Sequence, residues 1–199
     1  HCAWFGDRDY QRATDKIYKI AGESGCGKTT LGKAIVAELE ARGKRALLLS
    51  QDEFFHLPPR QNHNKRVADF SWIGPQEVDF EGLQQCLEKA TDGETQVLRV
   101  PVMNWERDEK QWTEVAVGEL DAIVIEGTYV LNRVQDDETA VFFQHTFEDT
   151  REARIARNRE VVDGFIQRVL EREHELIAPQ GAHAHFSITK DYRLQKQIV

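Results

Sequence analysis

Short apolar runs alternate with helical patterns along most of the chain. Residues 16–21, 45–50 and 121–126 are rich in apolar side chains, as expected for strands buried on both faces of a sheet. From residue 29 to 42 apolar residues recur at helical spacing, and Gly43 is placed to end that helix. This alternation predicts an α/β fold in which helices cover both faces of a mainly parallel sheet.

Weaker patterns predict the remaining elements. Further strands are expected at residues 97–102, 140–147 and 185–189. A helix is expected over residues 78–90, and the Arg- and Glu-rich segment 150–177 is expected to be helical with an interruption at Gly164. The stretch 51–64, rich in Pro, His and Asn, is interpreted as a loop.

Composition favours one globular domain and argues against several classes of function. The chain has 199 residues, of which 16–199 are expected to form the domain and the polar, aperiodic residues 1–15 an extension. The formal net charge of −8 argues against a nucleic-acid partner, because a duplex binder usually has a basic face. No run of about 18 apolar residues occurs, so no membrane span is predicted. Three scattered cysteines fit a reducing, cytoplasmic compartment.

A glycine-rich motif joins the first predicted strand to the first predicted helix. Residues 22–29, GESGCGKT, match the phosphate-binding pattern G-x-x-x-x-G-K-[ST] in full. Glycines let backbone N–H groups turn towards an anion, and the helix N-terminus adds a positive dipole. Lys28 is expected to contact the β- and γ-phosphates of ATP, and the Thr29 hydroxyl to ligate Mg²⁺. The predicted nucleotide-binding residues are Gly22, Glu23, Ser24, Gly25, Cys26, Gly27, Lys28, Thr29 and Thr30.

Two carboxylates come at the ends of predicted strands. Asp52 follows the run 45–50, and Glu126 ends the run 121–126. Ligand sites of open α/β sheets form beyond the carboxyl ends of their strands, so both carboxylates are expected near the phosphate-binding loop. Asp52 is predicted to accept the proton of an attacking hydroxyl, with Glu53 as the local alternative, and Glu126 to hold Mg²⁺ directly or through water. The alternative interpretation is that both are ordinary solvated loop residues.

An arginine-rich segment is predicted to form a lid over the site. Arg154 and Arg157 are neighbours at i, i+3 on a helix. Positive charge stabilises a transferring phosphoryl group, and a mobile lid excludes water. The alternative is a solvated helix whose arginines alternate with glutamates. The arginines that suggest a lid are Arg151, Arg154, Arg157, Arg159 and Arg168.

Together these motifs resemble the uridine kinase, phosphoribulokinase and pantothenate kinase group of P-loop kinases. The resemblance covers roughly residues 16–190 and is most specific in GESGCGKTT and IVIEGTYVL. It implies a three-layer P-loop NTPase fold with an arginine-rich helical lid, and transfer of the γ-phosphate of ATP to a hydroxyl of a small molecule. It also implies that Asp52 is the base and a Mg²⁺ partner, that Glu126 is a Mg²⁺ partner, and that Arg154 and Arg157 belong to the lid.

The segments that set acceptor specificity depart from the nucleoside kinases. Those enzymes carry an acidic residue and a histidine in a loop of the form NFDHPDAFD, where this chain has Trp72 and Ile73. The departure puts uridine in doubt and leaves a sugar, a polyol or another small alcohol as the acceptor. Asn104 and Arg107 follow the third predicted strand, so they are expected at the same sheet edge. The predicted acceptor pocket consists of Trp72, Asn104, Trp105 and Arg107, with His56 and His63 as alternative lining residues.

Other functions of a P-loop protein fit the sequence less well. A GTPase needs the guanine-binding motif [NT]-K-x-D, and residues 189–192, TKDY, fail at the last position. A nucleotide-binding regulatory ATPase without kinase activity would keep the loop and could lose the base, so the presence of Asp52 and Glu126 argues against it. Homo-oligomerisation is left open by the sequence.

Overall fold

A mainly parallel sheet lies at the centre of the computed structural model, which describes residues 17–156 and 163–197. The strands are β1 (Ile17–Ala21), β2 (Ala46–Ser50), β3 (Val97–Asn104), β4 (Glu109–Ala116), β5 (Ala122–Gly127), β6 (Glu138–Phe143), β7 (Phe186–Ile188) and β8 (Leu194–Lys196). Of these described strands, six form the central sheet in the order β2-β5-β1-β6-β7-β8, and only β7 and β8 pair antiparallel. The predicted parallel sheet is confirmed.

Helices cover both faces of this sheet. The helices of the described ranges are α1 (Lys28–Ala41), α2 (Pro59–Ala68), α3 (Phe80–Thr91), α4 (Arg151–Ala156) and α5 (Gly164–Ile177). Every residue of β5 is buried, and its side chains alternate between two clusters. Val124 belongs to a cluster with Ile35 of α1, whereas Ile123 and Ile125 belong to a cluster with Leu83 of α3. The result is the three-layer α/β arrangement that the resemblance implied.

The stretch predicted as a loop after β2 is largely helical. A 3₁₀ turn spans Gln51–Phe54, and Pro59 starts α2 at a helical position that tolerates proline. The prediction was wrong because α2 is polar nearly throughout, and Asn62 is its one buried residue. Without an apolar stripe, the hydrophobic pattern gives no helical signal.

The predicted strand at residues 97–102 lies outside the central sheet. β3 pairs antiparallel with β4 in a separate two-stranded sheet, so Asn104 and Arg107 lie at the tip of a hairpin. The expectation that these two residues follow a strand of the main sheet is therefore wrong. The sequence pattern does not predict β4, because its side chains are mostly polar and exposed and its sequence has no apolar run.

The arginine-rich segment contains two helices in its described part. α4 ends at Ala156 and α5 begins at Gly164, the predicted point of interruption. Arg157, a predicted lid residue, and residues 1–15, the predicted extension, lie outside the described residues. Across residues 17–156 and 163–197, every helix is too short or too polar to span a bilayer.

Candidate active site

The glycine-rich motif forms a tight loop between β1 and α1. Gly25 and Gly27 have φ angles of +84° and +107°, in the left-handed region that glycine adopts without strain. At Gly22, an added Cβ would lie 2.7 Å from the Cβ of Phe143 on β6, where neither atom has room to move. The shape of the loop therefore depends on glycine.

Lys28 opens α1, and its side chain folds back over the loop. Its Nζ donates to the carbonyl oxygen of Glu23 at 2.8 Å. Gly27 provides no side-chain cap, and the first turn of α1 contains no acidic residue, so the amide groups of this helix end are suited to an anion. Cys26 is fully buried, and burial raises the pKa of its thiol, so it acts as a packing residue. Thr30 is exposed on the first turn of the helix.

Glu126 accepts hydrogen bonds from hydroxyl groups on two other elements. Its Oε1 accepts hydrogen bonds from Ser50 Oγ at 2.6 Å and Thr29 Oγ1 at 3.1 Å. The parallel register places Ser50 opposite Glu126, which explains the first of these contacts. Burial raises the pKa of Glu126, and the negative charge of Asp52 raises it further, whereas the Ser50 and Thr29 hydroxyls and the charge of Lys28 oppose the rise. A bound cation would relieve both unfavourable effects on this carboxylate.

Asp52 and Glu53 have different surroundings although they are adjacent. Asp52 is exposed and close enough to Glu126 for its charge to act on that carboxylate. Glu53 Oε2 instead accepts the backbone N–H of Met103, which ties the 3₁₀ turn to β3. Of the two carboxylates, Asp52 is therefore the exposed one near Glu126, and Glu53 holds the hairpin.

The chemistry of these groups suits Mg²⁺. Thr29, Ser50, Asp52 and Glu126 offer only oxygen donors, which Mg²⁺ prefers, and two of them already meet at Glu126 Oε1. Within the described ranges, no three His, Cys, Asp or Glu side chains come together as a metal-binding group. Such a sparse set fits Mg²⁺, which usually takes its remaining ligands from substrate phosphates and water.

Glu23 anchors the loop to the elements that follow β6. Its buried carboxylate accepts the backbone N–H of Phe147 and lies 2.6 Å from Nδ1 of His174 on α5. Nearby, Thr150 Oγ1 donates to the carbonyl oxygen of Ser24 at 2.8 Å. These contacts had no sequence signal, because the motif leaves position 23 unspecified and His174 lies 151 residues away.

Arg154 lies directly beside the loop. An added Cβ at Gly25 would lie 2.9 Å from Cγ of Arg154, and the Arg154 Nη2 donates to the carbonyl oxygen of Phe147 at 2.9 Å. The structure thus places one of the two predicted lid arginines at the phosphate-binding loop. The other, Arg157, lies outside the described residues and stays a prediction.

Trp72 is held through its indole N–H. Its Nε1 donates to Oδ1 of Asn62 on α2 at 2.8 Å, the ring centroid lies 6.5 Å from that of His56, and the Nζ of Lys65 lies 5.6 Å from the ring. His63, the other histidine considered for the acceptor pocket, contacts Phe165 of α5 instead.

The tip of the β3–β4 hairpin is fixed to α2. Arg60 donates from its Nη2 to the carbonyl oxygen of Glu106 at 2.7 Å, and its backbone N–H donates to Asp108. Asn104 Oδ1 accepts the backbone N–H of Arg107 at 2.9 Å and so caps the turn. Trp105 at the same tip is 42% exposed. The hairpin tip therefore lies beside α2, in a position held by the protein itself.

Comparison with known proteins gives a consistent set of relatives. The sequence profile of the Phosphoribulokinase / Uridine kinase family matches residues 17–190. A bifunctional alpha-galactosidase/sucrose kinase from Mediterraneibacter gnavus is 27% identical over 194 residues, which are 91% of this chain but only 21% of that protein. A uridine kinase from Leuconostoc citreum is 24% identical over 183 residues, 86% of each chain. The structure of phosphoribulokinase from Rhodobacter spheroides has a TM-score of 0.66 at 11% identity, over 88% of this chain and 70% of that one.

Proposed function

This chain belongs to the Phosphoribulokinase / Uridine kinase family and is an ATP-dependent small-molecule kinase, and we propose that its acceptor is a hydroxyl of a sugar or polyol. The observation that carries the chemistry is the meeting of three elements at Glu126. Thr29 of the phosphate-binding loop and Ser50 at the end of β2 both donate to its carboxylate, and Asp52 lies close by. A proton acceptor and a cation site thus adjoin the predicted position of the γ-phosphate.

The proposed reaction needs one proton acceptor and one stabilised leaving group. The oxygen of the acceptor hydroxyl attacks the γ-phosphorus and forms a new P–O bond, while its proton passes to the Asp52 carboxylate. The bond between the γ-phosphorus and the β–γ bridging oxygen breaks, and ADP leaves with the electron pair. Lys28 and Arg154 stabilise the negative charge on the phosphoryl oxygens, and the amides at the start of α1 bind the phosphates.

Thr29, Asp52 and Glu126 are the residues we assign to Mg²⁺. The ion would neutralise charge on the β- and γ-phosphate oxygens, which is its usual contribution to phosphoryl transfer. In the protein, Glu126 orients the Thr29 hydroxyl. Burial raises the pKa of the Glu126 carboxyl, and the positive charge of a bound cation would oppose that rise and favour the ionised form. Asp52 is exposed and close to Glu126, so its carboxylate can both help to bind the cation and accept the proton of the acceptor hydroxyl.

The proposed acceptor class rests on Trp72 and Asn104, two residues of the predicted acceptor pocket. A site that selects a nucleobase needs fixed polar partners for the base edge, because unpaired buried groups are what reject wrong ligands. Here the indole N–H of Trp72 is already committed to Asn62, and the Asn104 carboxamide oxygen to the hairpin turn. The bifunctional alpha-galactosidase/sucrose kinase of M. gnavus matches 91% of this chain, although the match spans only 21% of that protein, and it adds support for a carbohydrate acceptor.

An acceptor panel tests this proposal. We expect acceptor-dependent release of ADP with sucrose, D-fructose or a related polyol, and poor activity with uridine and cytidine. The measurement is steady-state ADP release with ATP and Mg²⁺ held constant and each alcohol varied. Efficient uridine phosphorylation, with a kcat/KM of roughly 10⁴ M⁻¹s⁻¹ or more, would overturn the sugar assignment and leave the kinase assignment intact.

Replacing Glu126 with Gln is expected to raise the Mg²⁺ concentration needed for half-maximal activity by about tenfold or more. The carboxamide keeps the shape of the side chain but removes the negative charge near the ion. A matched control is Asp121→Asn, because Asp121 precedes the opposite end of β5 and pairs with Lys44 at the surface. A Glu126→Gln deficit that excess Mg²⁺ does not reduce at all would contradict the metal role.

A further inference from the structure

A cluster of hydrogen-bonded polar side chains, Asn62, Arg66, Glu77 and Glu173, contacts the indole N–H of Trp72 through Asn62. The carboxylate of the fully buried Glu77 accepts four hydrogen bonds. Two come from Arg66, from Nε at 2.5 Å and Nη2 at 2.9 Å. The others come from Asn62 Nδ2 at 2.6 Å and the backbone N–H of Gly74 at 2.8 Å. The other end of the Asn62 carboxamide accepts the indole N–H of Trp72 at 2.8 Å. The Asn62 amide is thus oriented from both sides, and its oxygen can point only towards the indole.

The charges in this cluster favour a single arrangement of its side chains. Burial alone would lower the pKa of Arg66, but the carboxylates of Glu173 and Glu77 raise it, so the guanidinium stays charged. Arg66 Nη2 also donates to Glu173 Oε1 at 2.8 Å, which fixes the cluster to α5. Because breaking one partner of a buried ion pair leaves an uncompensated charge, the cluster strongly favours one arrangement.

The cluster adjoins the chain segment that carries Asp52. The backbone N–H of His56, four residues after Asp52, donates to the carbonyl oxygen of Glu77 at 2.8 Å. The imidazole of His56 in turn lies 6.5 Å from the Trp72 ring. The orientation of the indole is therefore set relative to the segment that holds the proposed catalytic base.

We propose that Asn62 is a positioning residue for the phosphate acceptor. It does not touch the acceptor; its buried carboxamide, oriented by Glu77, fixes the indole of Trp72 as a wall of the acceptor pocket. This role rests on the proposed function, in which Trp72 contacts the acceptor. Without the hydrogen bond the indole can change its orientation, which weakens acceptor binding. The phosphate-binding loop is unaffected, so ATP binding stays the same.

The test compares the KM for the acceptor with the KM for ATP. We expect Asn62→Ala to raise the KM for D-fructose, or for the best alcohol of the panel, about tenfold, the ratio for one net hydrogen bond. The KM for ATP and kcat should stay within about twofold. Trp72→Phe, which removes the same hydrogen bond without opening the buried cluster, should raise the acceptor KM in the same direction. In the double variant the two effects should not add, because both remove one interaction.

Asn64→Ala is the matched control, since it makes the same change at an exposed position of α2. A purely structural role of Asn62 would instead lower the melting temperature, shift both KM values together and add to the effect of Trp72→Phe. That result, or an unchanged acceptor KM in an active Asn62→Ala enzyme, overturns the positioning role alone. If wild-type enzyme phosphorylates no alcohol of the panel, the proposed function fails, and the role falls with it.

Discussion

Replacing Asp52 with Asn is expected to lower kcat by a factor on the order of 10²–10⁴, while the KM for ATP changes little. The carboxamide has nearly the volume of the carboxylate but cannot take the proton from the attacking hydroxyl. Asp52 is exposed, so the change should leave the fold intact. Steady-state kinetics at saturating Mg²⁺ measure the effect, because saturation removes the contribution of weakened metal binding.

Glu53→Gln is the control that separates the two adjacent carboxylates. Glu53 accepts the N–H of Met103 and holds the hairpin, so its loss should alter acceptor affinity and stability more than the chemical step. If Glu53→Gln abolishes turnover and Asp52→Asn does not, the roles of the two residues have been assigned the wrong way round.

Replacing Lys28 with Met is expected to reduce phosphoryl transfer by a factor on the order of 10²–10³, by analogy with other single-donor deletions in active sites. The methionine keeps most of the apolar stem, which is buried, and loses the ammonium group. Among the described residues that group contacts only the loop itself, at the carbonyl oxygen of Glu23 and, more distantly, at Sγ of Cys26, so the effect on the free energy of unfolding should be small. Kinetics and a thermal melt of the same variant measure the two effects.

Lys33→Met provides the comparison on the same helix. Lys33 is exposed on α1, so its replacement should change neither kcat nor stability appreciably. A Lys28→Met enzyme with turnover close to that of Lys33→Met would contradict the assignment of the loop to the γ-phosphate.

The central sheet and the phosphate-binding loop could be predicted from the sequence because local pattern determines them. β5 is buried on both faces, so its composition alone marks it as a central strand. The loop motif has a fixed spacing, and its glycines are needed for left-handed or crowded positions. From these two features the meeting of Thr29 with Glu126 follows directly, since parallel strands bring their carboxyl ends to one edge.

The proposed acceptor side could not be predicted in the same way, because it consists of elements without an apolar pattern. α2 packs through the polar residues Asn62 and Arg66, and β4 is mostly exposed. The positions of Asn104 and Arg107 depended on which sheet β3 joins, and a single apolar strand does not specify its partner. Tertiary pairing decided that point, and the sequence gives no signal for it.

Polar contacts between residues far apart in the chain could not be predicted from the sequence either. Glu23 meets His174 across 151 residues, and Arg66 meets Glu173 across 107. His174 and Glu173 are adjacent on α5, so this helix contacts the phosphate-binding loop with one residue and the polar cluster beside Trp72 with the other. The sequence marks the segment as rich in arginine and glutamate, but it does not say which charges are buried and paired.

The lid prediction has one structural support. Arg154 lies at the loop, next to Gly25, as expected for a residue that reaches the phosphates. Its backbone N–H bonds to Thr150, whose hydroxyl contacts the loop, so the start of α4 is anchored there. The role of Arg157 is still a prediction.

The most direct test follows the γ-phosphoryl group itself. Wild-type enzyme is incubated with Mg²⁺ and ATP labelled with ³²P at the γ-position, together with the sugars and polyols of the panel, and the products are separated and identified by mass spectrometry. We predict that the label appears on a carbohydrate hydroxyl, with one ADP formed for each phosphorylated acceptor. Label found only in inorganic phosphate, or ATP bound without any transfer, would contradict the sugar assignment; the same result with uridine and cytidine added would contradict the kinase assignment and favour a nucleotide-binding regulator.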